Sequence, residues 1–233
     1  MFTGCGTALV TPLRKDGSLD EDILRSLVRR QINAGIDFLV PCGTTGESPT
    51  LSAAERRRVI EITLEEAKGK VPVLAGAGGY NTAAVVEAAK EVEAIGADGI
   101  LSVTPYYNKP TQEGLYQHYK SIAAAVKIPI IVYSVWSRTG INVLPATLKR
   151  LAEIDNIIGV KEASGNISQM GQVIQKTPSD FLVLSGDDSM TVPLLALGGK
   201  GLISVASNEI PAEMTALVRA GLDGDFARAR ELH

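Results

Sequence analysis

The chain has 233 residues, and 23 Lys+Arg against 26 Asp+Glu leave a net charge of −3, too balanced for a nucleic-acid footprint or a polybasic membrane patch. Hydrophobic residues make up 45% and aromatics only 5%, which excludes disorder and predicts a core built from Val, Ile, Leu and Ala. No apolar stretch approaches the about 18 residues of a membrane span, and Met1–Val10 lacks the basic start and long apolar run of a secretory leader, so a cytoplasmic location is expected.

Short apolar runs begin at Gly6 (GTALV), Ile36 (IDFLV), Val71 (VPVLAG), Gly99 (GILSV), Pro129 (PIIVY), Ile157 (IIGVK), Phe181 (FLVLS) and Leu202 (LISVA). They are continuous rather than alternating, as expected of strands buried on both faces in a parallel sheet. Helical patterns fill the gaps. Ser18–Glu21 and Ser52–Glu55 both fit the capping box that opens a helix. The charges from Arg56 to Glu66 read as a solvated helix face. Cys5 and Cys42 fall near opposite ends of neighbouring strands, too far apart for a disulfide. Pro211 to His233 reads as one last helix that stops without a cap.

From Gly6 to Leu202 the units average 28 residues, close to the roughly 31 of a (β/α)8 TIM barrel. An open doubly wound sheet fits less well, because no GxGxxG follows the first strand. The expectation is one α/β barrel domain over residues 1–233, truncated at its C-terminus.

In such a barrel, chemistry comes from the C-terminal ends of strands and the loops after them. Lys161 ends the sixth run, where an apolar interior would disfavour the ammonium and leave an amine able to attack a carbonyl. A lysine snorkelling outward, or paired with Glu162, is the competing reading. Tyr133 ends the neighbouring run, and its phenol could shuttle protons during addition and dehydration. Thr44 and Thr45, flanked by Gly43 and Gly46, could offer hydroxyls and amides to a carboxylate. Arg138 supplies a planar cationic fork suited to the same group. His118 and His233 are the only histidines, and neither has partners at metal-ligand spacing, so neither a zinc site nor a Ser-His-Asp set can be assembled. Gly198–Gly201 lacks P-loop spacing and reads as the turn into the eighth strand.

The motifs GTTGE (43–47), TPYYNKP (104–110), SRTG (137–140), GVKEASGN (159–166) and SGDD (185–188) together resemble the dihydrodipicolinate synthase family. These are class I pyruvate-dependent aldolases of the N-acetylneuraminate lyase superfamily, and the likeness runs from Phe2 to the end of the chain. It implies an imine between Lys161 and pyruvate with no other cofactor and no metal. The imine would be condensed with aspartate semialdehyde to give 4-hydroxy-tetrahydrodipicolinate, on the route to diaminopimelate and lysine. It also implies a proton relay of Tyr133, Thr44 and Tyr107, with Tyr107 crossing from a neighbouring subunit of a homodimer or of a homotetramer built as a dimer of dimers. Thr45 would bind the pyruvate carboxylate, Arg138 that of the semialdehyde, and Gly186 and Ile203 would line the pyruvate site. Tyr107, Gly186 and Ile203 enter only through the resemblance.

Three departures from the family pattern matter. Ser134 and Trp136 stand where the family has Asn and Pro, which frees the backbone before Arg138 and adds bulk near the substrate mouth. The family pattern continues for about sixty more residues as a helical C-terminal region beyond His233, so a truncation is expected. Lysine-inhibited members use a pocket that here holds Ser48, Pro49, Ala53, Tyr80, Ala84 and Tyr106, and without polar groups at Ala53 and Ala84 weak lysine feedback is expected. Two other functions stay open: a sugar-acid lyase of the same superfamily, and a keto-acid-binding barrel without catalysis.

Overall fold

Apolar runs without alternation are stable as strands only when both faces are covered, and the chain supplies that cover with helices. The computed structural model describes residues 1–233. Its strands are β1 (Gly4–Ala8), β2 (Phe38–Val40), β3 (Leu74–Gly76), β4 (Gly99–Val103), β5 (Ile130–Ser134), β6 (Ile157–Glu162), β7 (Leu182–Ser185) and β8 (Gly201–Ser204). The helices are α1 (Glu21–Asn33), α2 (Ala53–Ala67), α3 (Thr82–Ile95), α4 (Gln112–Ala125), α5 (Trp136–Thr139), α6 (Pro145–Leu151), α7 (Ile167–Lys176), α8 (Thr191–Ala196), α9 (Pro211–Leu222) and α10 (Phe226–Leu232).

All eight strands are parallel, in the order β2-β1-β8-β7-β6-β5-β4-β3. The two ends of that order meet through a parallel bridge between Leu39 and Val73, with amides of Leu39 and Gly76 donating to the carbonyls of Pro72 (3.0 Å) and Pro41 (2.9 Å). The sheet is thus a (β/α)8 barrel, as the repeat spacing predicted.

Side-chain alternation along each strand sorts the core into two bodies. The larger fills the space between strands and helices. The smaller fills the lumen, with Phe2 and Phe38 at the lower end and Ala8, Val40, Tyr133, Leu184 and Ile203 above. The two Phe rings meet edge to face at 5.7 Å between centroids. Glycines make room for them: a Cβ at Gly99 would lie 2.8 Å from the Phe2 ring, and one at Gly6 would intrude on Phe38.

Several boundaries differ from the sequence reading. β1 begins two residues early, where Gly4 pairs with Gly201. The first capping box does not form. Leu13 and Leu19 make an antiparallel bridge and Ser18 bonds Asp16 instead, so the chain is still extended at Leu19 and Asp20 caps α1 through the Ile23 amide at 3.2 Å. The Ser52–Glu55 box is present with both bonds. The final helix is two helices, because Gly224 takes a left-handed φ of 82° and Asp225 caps the second. The α2 charge run is not only a solvated face: Glu65 and Glu66 reach across to Arg25, and Glu66 also to Arg29, on α1. Both cysteines are free and buried.

Candidate active site

Strand register decides which residues share the upper lumen. Val103, Tyr133, Lys161 and Leu184 are consecutive partners across β4, β5, β6 and β7, so their side chains form one row at the strand ends. Lys161 is 4% exposed, and its Nζ lies 4.2 Å from the centroid of the Tyr133 ring. Neither the outward nor the Glu162-paired alternative holds. Glu162 points to the opposite face of β6, where its carboxylate takes bonds from Ser164 and Gln169. Burial pushes the Lys161 amine down to about 8; the negative charge of Asp188 opposes that shift and the positive charge of Arg138 adds to it. An amine in that range is still mostly protonated at pH 7 but holds a far larger neutral, nucleophilic fraction there than an ordinary lysine does.

Burial raises the Tyr133 phenol, while hydrogen bonding with the Thr44 hydroxyl and the charge of Arg138 pull it back. Thr44 is exposed in the loop after β2. Thr11 ties that loop to the end of β1 by donating its hydroxyl to the Gly46 carbonyl at 2.7 Å. Thr45 follows in the same turn and is half-buried. Thr44, Tyr133 and Arg138 line one cavity of about 790 Å³. Arg138 is exposed and sits on the one-turn helix α5, whose Thr139 hydroxyl donates to the Val135 carbonyl at 3.0 Å.

Gly186 lies against the lysine: a Cβ there would be 3.1 Å from Lys161 Cγ and Cε and 2.7 Å from the Ala163 Cβ. Any larger residue would displace the amine's stem. Ile203 is fully buried in the lumen cluster. Tyr107 is not gathered into this chain's own site; it is 88% exposed and held at a left-handed φ of 61°. Trp136 is 59% exposed on α5. Ser48, Pro49, Ala53, Tyr80, Ala84 and Tyr106 line the same cavity, in its extension between α2 and α3.

No group of three His, Cys, Asp or Glu is placed to hold a metal ion. His118 is buried on α4 against Thr82, 2.9 Å from Nδ1 to the hydroxyl, and burial lowers it to about 4. Burial raises Cys42 to about 12, which leaves an inert thiol at the cavity wall.

The model of the family described as "Dihydrodipicolinate synthetase family" matches residues 1–233. The chain belongs to this family. Among its relatives is the 4-hydroxy-tetrahydrodipicolinate synthase of Koribacter versatilis (strain Ellin345), 59% identical over 231 residues, which are 99% of this chain and 77% of that protein. The crystal structure of dihydrodipicolinate synthase from Aquifex aeolicus is similar over the whole chain and 79% of its own, at 46% identity and a TM-score of 0.97. A structure described as the first monomeric dihydrodipicolinate synthase variant matches at 46% identity and a TM-score of 0.98, over the whole of this chain and 78% of its own.

In this member of the synthetase family the SGDD motif also carries Asp188, to which the sequence assigns no role. Asp188 accepts from the Ser204 hydroxyl at 2.6 Å and from the amides of Val205 and Ala206 at 3.1 and 3.2 Å. Those bonds fix a carboxylate close enough to steady the Lys161 charge. The available signal was position alone: a carboxylate directly after a barrel strand.

Proposed function

We propose that the chain condenses pyruvate with L-aspartate 4-semialdehyde to form 4-hydroxy-tetrahydrodipicolinate, the product for which its Koribacter relative is named. The observation that carries this reading is the buried Lys161 amine against the Tyr133 ring, without a carboxylate in salt-bridge contact. The amine adds to the ketone carbon of pyruvate, and loss of one water leaves an imine. Loss of a methyl proton converts it to an enamine, whose carbon bonds to the aldehyde carbon of the second substrate while the aldehyde oxygen takes a proton. The amino group of the semialdehyde portion then attacks the imine carbon. Lys161 is released as a free amine, and the ring closes.

Tyr133 and Thr44 are the proton carriers in this reading, Thr45 and the backbone at Gly186 and Ile203 hold pyruvate, and Arg138 holds the second carboxylate. Tyr107, exposed here, completes the relay as Tyr107 of the partner subunit in a homodimer or dimer of dimers. One of the similar structures is described as a monomeric variant. No helix is long and apolar enough to cross a membrane, consistent with the cytoplasmic setting proposed for biosynthesis. Lysine feedback is weak, since Ala53 and Ala84 offer no polar group to the cavity.

The test is borohydride reduction in the presence of pyruvate, followed by peptide mass spectrometry and by assay with the semialdehyde. A reduced pyruvate adduct on Lys161 and formation of the cyclic product are expected. Folded protein that gives no adduct would move the binding-only barrel to the front, and an adduct with turnover of a sugar acid instead would favour a lyase.

A further inference from the structure

Behind the row that carries Tyr133 and Lys161 runs a second row on the outer face of the same strand ends. Ser134, Glu162 and Ser185 are consecutive register partners across β5, β6 and β7, and all three are fully buried. One Glu162 oxygen accepts from Gln169 Nε2 at 3.0 Å and from the Ser164 amide at 3.2 Å, while the other has no partner. Gln169 on α7 and Asn142, in the segment after α5, form a reciprocal amide pair. Asn142 Nδ2 donates to Gln169 Oε1 at 2.6 Å, and Gln169 Nε2 donates to Asn142 Oδ1 at 3.1 Å.

Asn142 Oδ1 also accepts from the Ser134 hydroxyl at 3.3 Å, which in turn accepts from the Val143 amide at 3.2 Å. Gln112 on α4 completes the clamp, donating to the Asn142 carbonyl at 2.8 Å and accepting from the Leu144 amide at 3.1 Å. The segment so clamped is the direct continuation of the Arg138 helix, joined to it where the Ile141 amide donates to the Thr139 hydroxyl oxygen at 3.3 Å. Arg138 itself is exposed and makes no salt bridge, so its position relative to Lys161 depends on what holds its backbone.

We propose that Asn142 and Gln169 are positioning residues: their amide pair, anchored on the Glu162 carboxyl and the Ser134 hydroxyl, keeps the Arg138 helix in register with the Lys161 strand, and so fixes the span between amine and guanidinium that a second, carboxylate-bearing substrate must bridge. This rests on the synthase reading for the identity of that substrate. Pyruvate, held by Lys161 and the Thr44–Thr45 loop, does not use the span. Losing the pair therefore separates the two substrates kinetically.

The test compares Gln169→Leu, Asn142→Ala and the double variant with the parent chain. A rise of about tenfold in KM for aspartate semialdehyde is expected, the size of effect that misplacing one binding group gives, with borohydride trapping of pyruvate on Lys161 unchanged. The double variant is no worse than the worse single, because both remove the same pair. Trp136, the only tryptophan, sits on the same helix as Arg138, and its fluorescence anisotropy falls in all three variants as the helix loosens. Asn142 is half-buried, so its truncation keeps the test usable if Gln169→Leu does not fold. A lower melting temperature with KM and Trp136 anisotropy both unchanged would reduce the pair to a structural role and overturn the proposal. If the parent chain itself makes no product from the two substrates, the synthase reading has failed, and Trp136 anisotropy decides the positioning claim alone.

Discussion

The two ends of the barrel lumen are built from the same strands and packed to opposite purposes. At the lower end Phe2 and Phe38 meet ring to ring, and Gly6 and Gly99 give up their side chains so that the rings fit. The contact there is between apolar rings, and the energy lies in close packing. At the upper end the same apolar surroundings receive an amine, and Gly186 gives up its side chain so that the Lys161 stem fits. The lower end is filled for stability. The upper end accepts a destabilising group, and the cost of burying it is what makes the amine nucleophilic.

The largest effect should come from replacing that group. Lys161→Met abolishes imine formation and turnover, seen as no borohydride adduct, yet makes the folded chain more stable. A lysine lowered from 10.5 to about 8 by burial costs the fold at most about 3 kcal/mol. The sign follows from proton counts. Below pH 8 both states are charged and the full penalty is present. Between about 8 and 10.5 the unfolded chain holds the proton and the folded chain does not, so parent stability rises with pH. Denaturant titrations at pH 7 and pH 10 should therefore show the Met variant ahead at pH 7 and its lead shrinking at pH 10. A variant less stable than the parent at pH 7 would mean the upper lumen is packed for stability after all.

The opposite intervention belongs at the lower end. Gly6→Ala drives a methyl group into the Phe38 ring, and overpacking of that kind costs about 2 kcal/mol. Activity per folded molecule should stay unchanged, because the site lies at the other end of the strands. Chemical denaturation and a turnover assay on the same preparation check both halves. A drop in turnover without a drop in stability would show that the two ends are mechanically coupled.

How much of this could be read in the sequence depended on whether a feature was local. The runs from Gly99 and Ile157 became strands at those first residues, because continuous Val, Ile and Leu admit few other uses. Lys161 was legible because an amine closing such a run is chemically out of place. Its neighbour Glu162 was not assigned: only the strand's alternation separates a lumen residue from one on the outer face, and its partners Gln169 and Asn142 are brought together by tertiary structure. Tyr107 was known only through family resemblance, and its exposure places it outside this chain's own site. The break at Gly224 was local and readable, since Asp223-Gly224-Asp225 is turn chemistry, but the apolar spacing of Leu217, Leu222 and Phe226 suggested one unbroken helix.

The smallest effect tests a residue on the upper side that takes no part in the site. Asp20 caps α1, the helix that follows β1, while Ser18, three residues before the first helical residue, spends its hydroxyl on Asp16. Asp20→Ala removes the acceptor for an otherwise unpaired helix amide and should cost about 1 kcal/mol. Ser18→Ala removes only a solvent-exposed turn bond and should stay within about 0.5 kcal/mol. Pyruvate trapping and turnover should be unchanged in both, read beside the denaturation midpoint. The reverse ranking would restore Ser18 as the cap. A loss of turnover in Asp20→Ala would show that the β1 loop, which also carries the Thr11 bond to Gly46, transmits the position of α1 to the Thr44–Thr45 turn. Being on the catalytic side of the barrel would then be enough to make a capping residue matter to chemistry, and the contrast between the ends of the lumen would extend to the helices around them.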